Sequence, residues 1–124
     1  MSIAPVSMKQ GDSIAAYRIV RHTSTPHTVA LTTATSDFPF GITQDNAGLS
    51  SQAVPVQIAG LARVYCNDTM AAGALVMTDA SGRAVPAVAT SAGVYVVGVI
   101  LETVTSTGTI GTILLNPYQL QSQL

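Results

Sequence analysis

Apolar and polar residues alternate with a period of two along most of the chain, and turn-forming residues break the alternation at short intervals. Ser13–His22 sets Ala15, Tyr17 and Ile19 on one face and Ile14, Ala16, Arg18 and Val20 on the other, which predicts a strand. Thr28–Thr35 is β-branched at most positions and predicts a second. Phe38–Thr43 predicts a short strand in which Pro39 demands an edge or a bulge. Ala53–Ala59 and Leu61–Cys66 predict two strands meeting at Gly60, with Pro55 marking an edge or a strand start. Ala74–Thr78 and Arg83–Ala89 flank Asp79-Ala80-Ser81-Gly82, a hairpin turn with Gly where φ is positive. Val94–Val104 is the most apolar strand. Thr109–Leu115 follows and is stopped by Asn116-Pro117, since Pro cannot continue the ladder. One segment reads as a helical turn: in Asn67–Gly73, Asp68 or Thr69 caps Asp68–Ala72 and Gly73 ends it.

This pattern predicts an all-β domain, a small β-barrel or sandwich with little helix. The expected divisions are a flexible N-terminal arm at 1–12, a β domain at 13–117 and a polar C-terminal tail at 118–124. A faint internal echo runs through it. Phe38-Pro39-Phe40-Gly41-Ile42 and Tyr95-Val96-Val97-Gly98-Val99 share an aromatic, two residues, a glycine and a branched aliphatic. Two packed β-units would explain the echo, and so would chance.

Composition changes the picture in one respect. The 124 residues are 48% apolar, with no Trp, and only 9% charged, against about 25% in an ordinary soluble domain. Lys9 is the one lysine, and the net charge is -1. A surface so poor in charge is covered either by neutral hydroxyls and amides or by partner chains. The longest apolar run, Gly93–Leu101, falls far short of the ~20 residues of a membrane-spanning helix. The five Lys and Arg are scattered, which argues against a nucleic-acid partner. The first residues have neither a basic nor an apolar signal region.

Candidate chemistry is sparse. His22 and His27 flank a Thr-Pro loop, with no third ligand at metal spacing. Cys66 is alone, has no base in sequence reach, and reads as a half-buried thiol at a strand end. Five of the six carboxylates lie in turns, where Asp caps its own backbone. Glu102 interrupts the most apolar strand, and solvent, Arg83, Arg63 or a partner molecule are its candidate neighbours. No glycine cluster forms a phosphate loop. The expectation is therefore a protein that is not an enzyme and has no catalytic residue, cofactor or metal.

Several segments in order carry a resemblance: Tyr17-Arg18-Ile19-Val20, then Pro39-Phe40-Gly41-Ile42-Thr43, Ala47-Gly48, and Val54 to Val64 with its Ile58-Ala59-Gly60 centre. Ala71–Pro86, Val96–Glu102 and Ile113–Leu115 follow. In this order, over about Ile14–Leu115, the chain resembles the capsid decoration, or cement, proteins of tailed bacteriophages. The resemblance implies a small β-rich domain, often a homotrimer, on the outer surface of the virion capsid, bridging neighbouring subunits of the major capsid protein. A tail, fibre or baseplate β-module is the alternative, and a small-barrel hydrolase a more distant one. The arm adds an expectation of its own. Ile3, Pro5, Val6, Met8 and Lys9 are candidate capsid-binding residues, since an extended segment gains order by adding a strand to an exposed sheet edge.

Overall fold

The computed structural model describes residues 6–11, 14–33, 37–44, 53–87 and 95–119. Ten strands and no helix occur among them. They are β1 (Val6–Gln10), β2 (Ile19–His22), β3 (Thr28–Leu31), β4 (Gly41–Thr43), β5 (Ala53–Gln57), β6 (Gly60–Cys66), β7 (Leu75–Thr78), β8 (Ala84–Pro86), β9 (Tyr95–Ile100) and β10 (Thr109–Gln119).

The strands close into two five-stranded barrels, β1-β3-β2-β4-β5 and β6-β8-β7-β9-β10. The second repeats the first. In each, the first and third strands run parallel and the other four contacts are antiparallel. Register agrees as well as order. Ile19 faces Ile42 and Val20 faces Gly41 in barrel one, as Leu75 faces Val99 and Val76 faces Gly98 in barrel two. Turn bonds recur with them. Tyr17 N–H reaches Thr43 C=O at 2.7 Å, and Gly73 N–H reaches Ile100 C=O at 2.8 Å. Gly11 N–H reaches Val29 C=O at 2.7 Å, and Asn67 N–H reaches Ala84 C=O at 2.8 Å. The chain is thus a tandem pair, offset by about 56 residues, and duplication explains the echo at Gly41 and Gly98.

Each barrel buries its own aliphatic interior. Val20, Val29, Val54 and Val56 fill the first, with Met8 and Ile14. Val64, Val76, Val97, Ile100 and Ile113 fill the second, with Met70. Ile14 and Met70 occupy matching places on the segments between first and second strands, and each is buried.

Several expectations are corrected. Residues 14–18, expected to start a strand, turn instead through Tyr17, whose φ is 65°. The helical turn at Asp68–Ala72 is absent: Met70 bridges Val104 in extended pairing, because burying Met70 in the barrel outweighs one exposed turn. The arm at 1–12 is not free throughout. Val6–Gln10 is β1, parallel to β3 and antiparallel to β5, and it closes barrel one. Asn116-Pro117 does not stop the last strand: β10 runs to Gln119, with a register shift between Leu115 and Tyr118 that accommodates the proline, so Tyr118 and Gln119 of the expected tail pair with Val96 and Tyr95. Ile3 and Pro5 lie outside the described residues, as do the tail residues 120–124.

Pro55 lies within β5, between β1 and β4. The ladder tolerates it because its C=O accepts Gln44 N–H at 3.0 Å. Its nitrogen faces the same side, just past the end of β4. The matching residue, Thr112, accepts Leu101 N–H at 2.9 Å and donates its own N–H to Glu102 Oε1 at 3.0 Å. Glu102 therefore satisfies the donor that Pro55 lacks, and neither Arg63 nor Arg83 is its partner. Arg83 pairs instead with Asp79 at 2.9 Å, across the expected hairpin turn.

Candidate functional surface

An open depression of about 380 Å³ is lined by Thr69, Met70, Ala71, Thr103, Val104 and Thr105. It holds no titratable side chain. Among the described residues no group of three or more His, Cys, Asp and Glu is placed to hold a metal. His22 and His27 are both exposed; His22 makes an edge contact with Phe40, the ring centroids 5.5 Å apart. Cys66 is fully buried, further in than its strand-end position suggested. Burial pushes its thiol up from the ordinary range, the Gly111 N–H opposes this, and the Glu102 charge adds to it. Such a thiol is a poor nucleophile.

Surfaces remain, and the joint between the barrels is the most informative. In barrel one, Lys9 N–H closes the β1–β3 seam by donating to His27 C=O at 2.7 Å. The matching pair in barrel two, Tyr65 and Gly82, do not bond each other. Tyr65 N–H donates to Tyr17 C=O at 2.9 Å, and Gly82 C=O accepts Ile19 N–H at 2.7 Å. Residues 17–19 are thus wedged into the opened seam. Gly82 (φ 71°) has to be bare there: a Cβ would sit 2.6 Å from Ile19 O. Around the wedge, the Arg18 guanidinium lies 4.3 Å from the Tyr65 ring centroid, a cation–π contact. The Gln44 amide exchanges two hydrogen bonds with the Arg63 peptide, at 3.1 and 3.3 Å. The hydroxyls of Thr32 and Thr78 bond across the joint.

Barrel one meets this joint with its outer face. Ile19 and Ile42 point away from the interior of barrel one and pack into the core cluster of barrel two. Barrel two carries the same outer face, formed by Leu75, Val99 and Leu114 in one register across β7, β9 and β10, and continued by Leu61 on β6. There it is uncovered: Leu61 is 43% exposed and Leu114 44%. Leu101, which takes the place of Gln44, is also exposed.

No protein-family model matches the chain, and no curated protein matches it. A solved structure does match in fold. It is the head fiber gp8.5 N base in bacteriophage phi29, with a TM-score of 0.69, covering 94% of this chain and 95% of that one. Identity is 16%, so the likeness speaks to fold alone. Both barrels fall within it.

The sequence-selected residues fare unevenly. Met8 is buried inside barrel one opposite Val54 and is not available to a partner. Val6 pairs with Val56. Lys9 is exposed. The belt Leu61, Leu75, Val99 and Leu114 was missed, because alternating strands look alike from inside and outside until the ring closes.

Proposed function

We propose that this protein is a structural component of a phage virion, attached to the outer surface of the head, where it cements neighbouring major capsid protein subunits. The observation that carries the reading is the two-barrel fold, shared end to end with the base of a phage head fibre. The low charge and the exposed apolar belt fit it, since both suit a molecule covered by neighbours. The role is architectural, with no reaction and no cofactor. Copies associate as a homotrimer, and many copies on one particle bind with avidity, so modest contact per copy suffices.

The same observation favours a second reading, the base by which a fibre is seated on the head. The two differ in what the shell gains. Undecorated heads incubated with the full chain should bind it saturably under either. Under the cementing reading, decorated heads also withstand heat and dilution better than bare ones. Under the fibre-base reading binding leaves head stability unchanged.

A further inference from the structure

Among the described residues, the joint between the two barrels pairs unlike patches. Barrel one offers its outer face and the wedge at residues 17–19; barrel two offers its open β6–β8 seam, the Arg63 peptide and the Tyr65 ring. Such a contact is heterologous: it joins two different patches of one repeated unit. Because the unit is repeated, each chain keeps one unused copy of each patch. The unused outer face is the belt of barrel two, flanked by residues 73–75, where Gly73 matches Tyr17 and Leu75 matches Ile19. The unused seam lies on barrel one. There Ser7, Lys9 and His27 match Arg63, Tyr65 and Gly82, and all three are exposed. His27 holds a φ of 55° where barrel two has glycine, so the backbone at the unused seam already has the bend of the occupied one.

We propose that the belt Leu61–Leu114–Val99–Leu75 is the seat for a second copy of this chain, docked head to tail through the β1–β3 seam of that copy. The inference rests on the reading that copies associate, and it names the surface. Docking repeats the contact already made within the chain. Lys9 N–H and His27 C=O of the incoming copy give up their mutual bond. They take Gly73 C=O and Leu75 N–H, as Tyr65 and Gly82 take Tyr17 and Ile19, so one hydrogen bond is exchanged for two. Ile19 and Ile42 are fully buried by the internal version. Leu75 and Val99 are half-buried without a partner, and apolar area left on them is the driving force.

Two blocked variants of the full chain test this, read by native mass spectrometry and light scattering at micromolar concentration. Leu114→Glu places a charge on the belt. Ser7→Glu with Lys9→Glu repels it from the seam. All three side chains are exposed, so circular dichroism should match the parent. The parent should be oligomeric and each variant monomeric, with self-association at least ten-fold weaker. Mixed in equal amounts, the two variants should form a one-to-one heterodimer and nothing larger, since one belt and one seam stay intact between them. Leu114→Gln, which installs the side chain that barrel one carries at the matching Gln57, gives a milder loss should the charged variant misfold. A monomeric parent overturns the proposal. So does self-association untouched by the variants, or a mixture that fails to pair. If the belt variant stays oligomeric but no longer binds phage heads, the belt faces the shell: the proposed function then stands and this inference falls.

Discussion

Gly98→Ala is the sharpest test of the close packing inside the barrels. Gly98 lies in β9 against β10, and a Cβ there would stand 2.0 Å from Leu114 O and 3.0 Å from Leu114 C. Both are backbone atoms, so no side-chain rotation relieves the clash. β10 cannot withdraw either, because it is paired with β6 over Thr109–Leu115 on its other side. Forcing atoms into a packed interior costs about 1–3 kcal/mol where side chains can adjust. With backbone on both sides the expected cost is about 3 kcal/mol or more. For a chain of this length each kcal/mol lowers Tm by roughly 3–5 °C, so Gly98→Ala should melt about 10 °C or more below the parent. Gly41→Ala is the internal control. Its Cβ meets Val56 Cγ1 at 2.5 Å and Gln57 O at 2.6 Å, but the β4–β5 ladder has only two paired positions and can yield. A loss of about 1–3 kcal/mol follows. Neither glycine has a positive φ, so backbone strain does not enter. Far-UV circular dichroism during heating, with urea titration to check that the m-value holds, measures both. If Gly98→Ala melts within about 2 °C of the parent, or Gly41→Ala is clearly the worse, the account of β9 against β10 is wrong.

Two further predictions follow from the barrel chemistry. Cys66→Ser should leave capsid binding intact and cost about 1 kcal/mol of stability, the new hydroxyl having Val64 C=O within reach of its sulfur predecessor. Burial raises the Cys66 thiol, so its contribution is full below the unfolded thiol value of about 8.5 and is lost as pH rises through the raised value. The parent should therefore lose stability relative to Cys66→Ser in alkaline solution, and native-state thiol labelling near neutral pH should be slow. Loss of head binding by a folded Cys66→Ser would contradict this. Thr112→Pro should fold, at a cost of about 1 kcal/mol, because its N–H serves Glu102 rather than the ladder and Pro stands at the matching place in barrel one. Ile113→Pro, one residue on, removes a β6 ladder bond and should cost about 3 kcal/mol or more. Equal melting temperatures for the two would refute the assignment.

Much of the fold was legible because strand alternation is a local property. β2, β5, β6 and β7 fall within or near the predicted runs, and Asp79–Gly82 is the turn it promised to be; β10 instead runs on past Asn116-Pro117 to Gln119. What was not legible depended on closure. The helical turn was read at Asp68–Ala72 because a capping residue and a terminal glycine suit a loop as well as a helix. The stronger evidence lay in comparing that stretch with its twin. Asp12-Ser13-Ile14-Ala15-Ala16 and Asp68-Thr69-Met70-Ala71-Ala72 agree position by position, and Ile14 and Met70 are both buried. β1 was read as an arm because its pairing partners, Thr28–Val29 and Ala53–Val56, are distant in sequence. The joint and the belt were invisible for a related reason: Ile19 and Leu75 are equivalent in their own barrels, and only the placement of the second barrel covers one and leaves the other bare.

The central claim is that this chain is a virion component seated on the outside of a phage head, and binding to heads tests it most directly. Heads lacking the protein, mixed with the purified full chain and sedimented, should carry it down to a fixed number of copies per particle. Electron cryomicroscopy of those heads should place the two barrels on the outer surface at symmetry-related positions. A chain that stays in the supernatant at every concentration tried, or that is found inside the shell, would contradict the account.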